Sequence, residues 1–561
     1  MSMPNKSQTA VAPPPMDLSP YQGPWTIREA SHLLRRTTFG PTQEMIAEAI
    51  ALGKNDAIRR LFANAVPSAP PVRYTLDEAI PGNDLFPVLR DPDVPFGETW
   101  VNEPVIKEYN DDAFAGQILS SRTNSVYAWN MINMYKTELN LMPKLWMFWH
   151  NHFVVADFRL PHENYQYSSL LEQHAKGNFR QFVKDITINV SMLRYLNGAE
   201  NSATAPNENY ARELLELFTV GRGELAGPGD YTTFTEQDVS EISKILTGWR
   251  INLLVVRERL ESIFSAVEHD RTTKTLSHRF GNRNISNAGD QEYSQLIDVI
   301  FESEAVSHFI CRKLYTYFLN YEITPEIEAQ VIAPMAQIFR DNDYEIEPAL
   351  RALLGSNHFY SEQAIGCMIK NPLDYIISAT KGLDFELTDD IASNHFFTLV
   401  YYIIASEQGM QPYFHPDVAG WKAYYQEPLY YRHWINSVFL PARNSIASAL
   451  VGGGTAVING SPARIPQIIN VIDYAAQIPN ASDPNRLIFG IADNLFTNQI
   501  TEEQKDFLKE LLLPGLPDFE WTVEYSEFLN APNDREKRTA INNKLVSLIS
   551  AMVEMPEFQL M

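Results

Sequence analysis

Cysteine is nearly absent. Cys311 and Cys367 are the only two in 561 residues, and with no CxxC neighbour they cannot form a disulfide framework. Both sit in apolar helical surroundings and read as buried free thiols; a bridge stays open only if the fold brings their Cα atoms within about 7 Å. Basic residues are scarce as well, 45 Lys and Arg against 69 Asp and Glu, for a net charge of −24. That balance excludes a general nucleic-acid binder, whose phosphate contacts need a basic surface, and solubility is the plain reading of the acidity. No run of about 18 apolar residues occurs, so no membrane span is expected. The first 20 residues are polar and proline-rich without an apolar h-region. Residues 1–22 read as a flexible tail, so the protein is either not exported by the usual signal or given in a mature or engineered form. No G-x-S-x-G elbow, HExxH, P-loop or dinucleotide fingerprint stands in a suitable context.

What is present is a globular composition, 45% apolar and 12% aromatic. Helical periodicity predicts helices over residues 27–38, 42–52, 112–138, 142–154, 164–176 and 179–189, with a long ordered loop over 64–110. Asn207 reads as the N-cap of a helix over 208–220 that Gly221 ends, and Thr235 with Asp238 as a partial capping box. Between residues 251 and 283 the pattern alternates, which predicts a β-hairpin turning at 270–273. Helical periodicity then returns and runs to about residue 553. The expected fold is mainly α: residues 23–561 form a single large multi-helix domain with a small β-hairpin insertion. Gly452-Gly453-Gly454 marks a loop that could set off a C-terminal helical subdomain from about residue 455.

The polar chemistry is densest over residues 145–249. Residues 145–153 read Leu-Trp-Met-Phe-Trp-His-Asn-His-Phe, and residues 206–218 read Pro-Asn-Glu-Asn-Tyr-Ala-Arg-Glu-Leu-Leu-Glu-Leu-Phe. Polar groups set among buried aromatics must be paired or metal-bound. His150 and His152 are two positions apart, about 200° around a helix, so both cannot face one metal unless the helix ends or distorts there. Asn209, Glu213 and Glu216 fall on one helical stripe near the core boundary, while Glu208 and Arg212 can pair on the solvent side. His174 could face the same pocket, and Asp238 and Glu241 offer further oxygen ligands. His269 and Asp270 occupy the hairpin turn, where exposure is expected. Aromatic residues crowd the stretch from Tyr424 to Trp434, with core packing as the default reading.

These segments, in this order, resemble the large bacterial family catalogued as domain of unknown function 1800. The resemblance begins at Leu33-Leu34-Arg35-Arg36-Thr37-Thr38-Phe39-Gly40-Pro41 and includes Glu172 to Phe179 and His269-Asp270. It continues through Lys370-Asn371-Pro372, Pro416-Asp417-Val418-Ala419-Gly420-Trp421 and Pro556-Glu557-Phe558-Gln559-Leu560. It implies a protein that is often exported, and therefore periplasmic or extracellular, encoded near a sulfatase-like protein. The sequence departs from the pattern after Lys274, where the next glycine is Gly281, and at His415, where a paired proline is expected.

Two functions follow as expectations. The first is a hydrolase whose pocket gathers His150, His152, His174, Glu213 and Glu216, around Zn, Mn or Fe or as metal-free acid and base, with Glu213, His150 and His152 as the catalytic groups. Its substrate would be an extracellular glycan, phosphate or sulfate, a class that rests on the resemblance alone. The second is a noncatalytic helical envelope or scaffold protein whose polar motifs are hydrogen-bond networks fixing helix packing. The oligomeric state is not legible.

Overall fold

The computed structural model describes residues 17–63, 68–79, 86–104, 111–156, 160–252, 260–421, 430–458 and 460–561. The chain is mainly α-helical, and among the described residues every sheet is a two-stranded antiparallel hairpin. Ile27–Thr37 opens with Thr26 and Glu29 in a reciprocal capping box and buries Ala30, Leu33 and Leu34. Asp112–Tyr135, the longest helix, lies along Ile391–Glu407. Stacked rings join the pair, Tyr127 on Tyr402 at 5.0 Å and Tyr135 on Tyr401 at 5.6 Å. Met142–His152 packs on Pro161–His174, which starts at Pro161 because proline suits a first helical turn.

The alternating stretch forms two small hairpins, Trp249–Ile251 with Ser262–Phe264 and Lys274–Thr275 with Asn284–Ile285. Two more pair Leu225–Gly227 with Asp230–Tyr231 and Gly454–Ile458 with Ser461–Ile465. The glycine run thus ends one helix and opens a strand, with Gly453 at φ +75.

The largest core cluster surrounds Met142–His152. A second cluster joins Val471, Leu487, Trp521, Leu545 and Phe558, and it also takes in Tyr375 and Ala379 from Pro372–Lys381. Within the span read as a tail, the Ser19 carbonyl accepts the Asn357 N–H at 2.8 Å and Tyr21 donates to Gly355 at 2.9 Å. Both cysteines are free thiols. Among the described residues no helix is long and apolar enough to cross a membrane.

Candidate functional site

Met142–His152 begins where Asn140 Oδ1 accepts the Met142 N–H at 2.9 Å and Pro143 sits in the first turn. Its residues are buried on all sides, as in a helix running through a core. Successive α-helical residues point about 100° apart. His150, Asn151 and His152 therefore face three directions, and each holds a different piece of chain.

His150 Nε2 accepts the Tyr413 N–H at 2.9 Å. The ring proton must then sit on Nδ1, which donates to Tyr167 Oη at 3.1 Å, and Tyr167 donates in turn to the Phe153 carbonyl at 2.7 Å. Asn151 Oδ1 accepts the Trp421 N–H at 2.7 Å. His152 takes the opposite tautomer from His150: its Nε2 donates to the Phe218 carbonyl at 3.2 Å, and its Nδ1 accepts from Lys313 Nζ at 3.0 Å. Burial pushes both imidazoles well below their ordinary pKa, with His415 adding to the effect at His150 and Lys313 at His152. A metal would need the one lone pair of each neutral ring. Both lone pairs already accept a hydrogen bond.

The helix that follows Asn207 is capped as expected, Asn207 Oδ1 accepting the Asn209 N–H at 2.9 Å. Tyr210 and Leu214 are buried, and Tyr210 donates to the Thr187 carbonyl at 2.6 Å. The α-helix covers only Glu208–Glu213 and passes into a widened π-type turn over Leu214–Thr219 before Gly221 at φ +74. Helix ends leave carbonyls without partners. Here Lys313 donates to Leu217 at 3.1 Å while His152 donates to Phe218, so the two motifs do meet, through backbone and not through the carboxylates.

Those carboxylates gather around Arg212. Arg212 forms a two-pronged pair with Glu236, at 2.9 and 2.7 Å, and stands 3.7 Å from Glu216 and 3.9 Å from Glu208. The i, i+4 pair read from the sequence is therefore the weakest of its contacts. Glu213 is half-buried, and burial raises its pKa; Glu216 and then Asp417 raise it further, against the opposing charge of Arg212. Asp417 belongs to the loop that His150 and Asn151 hold. Two distant sequence motifs thus meet in one acidic face, with Tyr195 beside it.

The five residues expected around one metal ion are spread over separate contacts. His150 and His152 are occupied as described, Glu213 and Glu216 share the Arg212 face, and His174 stands 2.9 Å from Asp185 with its ring stacked on Phe182. Among the described residues no group of three or more His, Cys, Asp or Glu side chains is placed to hold a metal ion. The reason is local geometry: neighbouring positions on one helical turn diverge, and the regular α-spacing behind the Glu213–Glu216 stripe stops at Glu213.

Asp238 is a structural hub and not a free oxygen ligand. It completes the Thr235 capping box and also accepts the Ser277 N–H at 2.7 Å and the Ser277 hydroxyl at 2.6 Å. His269, expected at an exposed tip, is buried between the Thr247 carbonyl at 2.8 Å and Glu292 at 2.9 Å. Lys274 pairs with Glu292 at 2.6 Å, while Asp270 accepts the Thr272 N–H at 2.8 Å in the turn. An alternating pattern cannot reveal that Glu292 comes back to cover the turn. Tyr424 and Tyr425 lie outside the described residues, and Trp434 is buried.

The family model described as "Protein of unknown function (DUF1800)" matches residues 32–560, nearly the whole chain. The chain belongs to this family. No curated protein and no solved structure matches it.

Sequence reading missed several groups in this DUF1800 chain. Lys313 gave no signal beyond a lysine in an apolar helix. Ser168 bonds Tyr413 Oη at 2.6 Å, and Asn130 Nδ2 donates to both, so a polar string runs from His150 toward Asp112–Tyr135. Near that string an open pocket of about 340 Å³ is lined by Trp129, Asn130, Asn133, Trp146 and Glu172, among others. It borders the neighbours of His150 but not the histidine, whose ring stacks on Trp146 at 4.7 Å.

Proposed function

We propose that this chain is a noncatalytic helical scaffold whose dense polar motifs lock separate segments together. The observation that carries this reading is that His150, Asn151 and His152 each bind a backbone group of another segment, at Tyr413, Trp421 and Phe218. Buried networks of this kind specify one packing without chemistry. The test is hydrogen exchange together with metal analysis of untreated protein. Asn151→Ala should speed amide exchange around Trp421 and leave metal content unchanged; stoichiometric metal in the wild type that the variant loses would contradict the reading.

One observation favours a second reading, metal-free acid and base catalysis by the Glu213 carboxyl. Its pKa is raised by burial and by two neighbouring carboxylates, Glu216 and Asp417, on a partly exposed face. The substrate, a glycan, phosphate ester or sulfate ester, and a sulfatase-like partner rest on the family resemblance only. Wild-type turnover of a chromogenic ester or glycoside that is lost in Glu213→Gln would support it, and inactivity of the wild type on all three classes would count against it.

A further inference from the structure

Three motifs that the proposed function does not use meet in one place. Arg36, Lys144, Lys370 and Arg443 are all at most 1% exposed, and the carboxylate among them is Asp374, at 2%. Lys144 pairs with Asp374 Oδ1 and lies 4.3 Å from the Phe39 ring centroid. Asn371, the N-cap of Pro372–Lys381, donates to Asp374 Oδ2 at 2.5 Å. Lys370 is tied by its backbone N–H to the Gln559 carbonyl at 2.8 Å, and Arg443 donates to Gln559 Oε1 at 2.9 Å and to the Lys370 carbonyl at 3.1 Å. Arg36 donates to the Ala364 carbonyl at 2.9 Å. Arg35, one residue earlier, is bonded to the Asn494 carbonyl at 2.5 Å.

The charges of this centre do not balance. Arginine stays protonated in proteins. With both lysines charged, four cations face one carboxylate; with both neutral, Arg36 and Arg443 still exceed Asp374 by one. No protonation state of Lys144 and Lys370 brings the sum to zero, and an uncompensated buried charge is among the costliest groups a fold can carry. The donors do not balance either. Lys370 Nζ, Arg36 Nε and Nη1, and Arg443 Nη1 are buried and have no hydrogen-bond partner. Lys370 Nζ lies over the Phe558 ring, 3.8 Å from its centroid, and its charge interacts with Arg35, Asp374, Arg443 and Lys144. Buried donors left open beside excess positive charge call for an acceptor that carries negative charge.

We infer that this centre binds a small monovalent inorganic anion of the halide class, held by the open donors of Lys370 and Arg443. The anion offsets the excess charge and ties Lys370, just before Pro372–Lys381, and Phe439–Gly452 to the chain around Gln559. With its donors buried in the core, the ligand acts as a structural ion.

The test is thermal unfolding of the full chain at fixed pH and ionic strength, with sodium gluconate replaced stepwise by sodium chloride or bromide. Binding to the folded state alone predicts a midpoint that rises with halide concentration, because such a ligand stabilises by mass action. Lys370→Met should fold and lose most of that dependence. Crystals soaked in bromide provide a readout independent of any variant, with an anomalous peak expected within hydrogen-bond reach of Lys370 Nζ. Equal midpoints in gluconate and halide would overturn the inference. So would bromide found only at the surface, or a halide dependence that persists in Lys370→Met.

Discussion

Asn151 Oδ1 and the Trp421 backbone N–H stand 2.7 Å apart, and the residue between the loop and this contact is Gly420 at φ +83. A Cβ at Gly420 would collide with the Asn151 side chain and meet its backbone oxygen at 2.7 Å. The positive φ and the close approach together require glycine. Gly420→Ala should destabilise the protein by about 1–3 kcal/mol from backbone strain, with the collision adding to it. The denaturant midpoint reads this directly, and a midpoint unchanged from wild type would remove the Asn151–Trp421 contact as a fixed point of the fold.

The cap at Asn207 supports a shorter statement. Asn207→Ala should cost about 1 kcal/mol, since it removes the acceptor for the Asn209 N–H. Asn207→Asp, which keeps an acceptor at a helix start, should recover most of the loss in the same chemical-denaturation experiment.

Burial lowers Lys313 to about 7, whereas a lysine in the unfolded chain titrates near about 10.4. Between those values the unfolded chain binds the extra proton, so stability rises with pH across the window, by at most about 1.4 kcal/mol per pH unit. Lys381, lowered to about 8, contributes only over the upper part. Lys313→Met should therefore flatten the rise between pH 7 and pH 8 expected of the wild type in urea titrations. Parallel slopes for the two proteins would mean that Lys313 keeps its proton in the core.

Glu213 has the opposite sign. Its folded pKa is raised, so the folded chain holds its proton more tightly, and stability falls as pH rises through that value. At pH 7 the charge opposes folding, and Glu213→Gln should melt at the same temperature as the wild type or slightly higher, with the difference vanishing in acid. A variant that melts lower at pH 7 would reveal a favourable partner for the carboxylate and would shift weight to the catalytic reading.

Much of the helical framework was legible because apolar period and caps agree, as at Asn207 and Thr235. The same logic placed Leu145 to Trp149 in a core. The partners were not legible. Tyr413 and Lys313 lie far from His150 and His152 in sequence, and no local pattern announces that a backbone N–H or an ammonium will fill an imidazole lone pair. The π-type turn after Glu213 was invisible too, because a stripe drawn at 3.6 residues per turn assumes the helix stays regular. Arg36, Lys370 and Gln559 carried the family resemblance, yet only the fold shows that they share one buried centre.

The central claim, that the histidines are neutral structural clamps, is tested most directly by nitrogen-15 NMR of histidine-labelled protein, with His150→Gln and His152→Gln giving the assignments. The structure predicts His150 protonated at Nδ1 and His152 protonated at Nε2. Burial should keep both neutral through the range in which an exposed histidine titrates. Either ring titrating near neutral pH, or a nitrogen shift that changes when a chelator is added, would contradict the account.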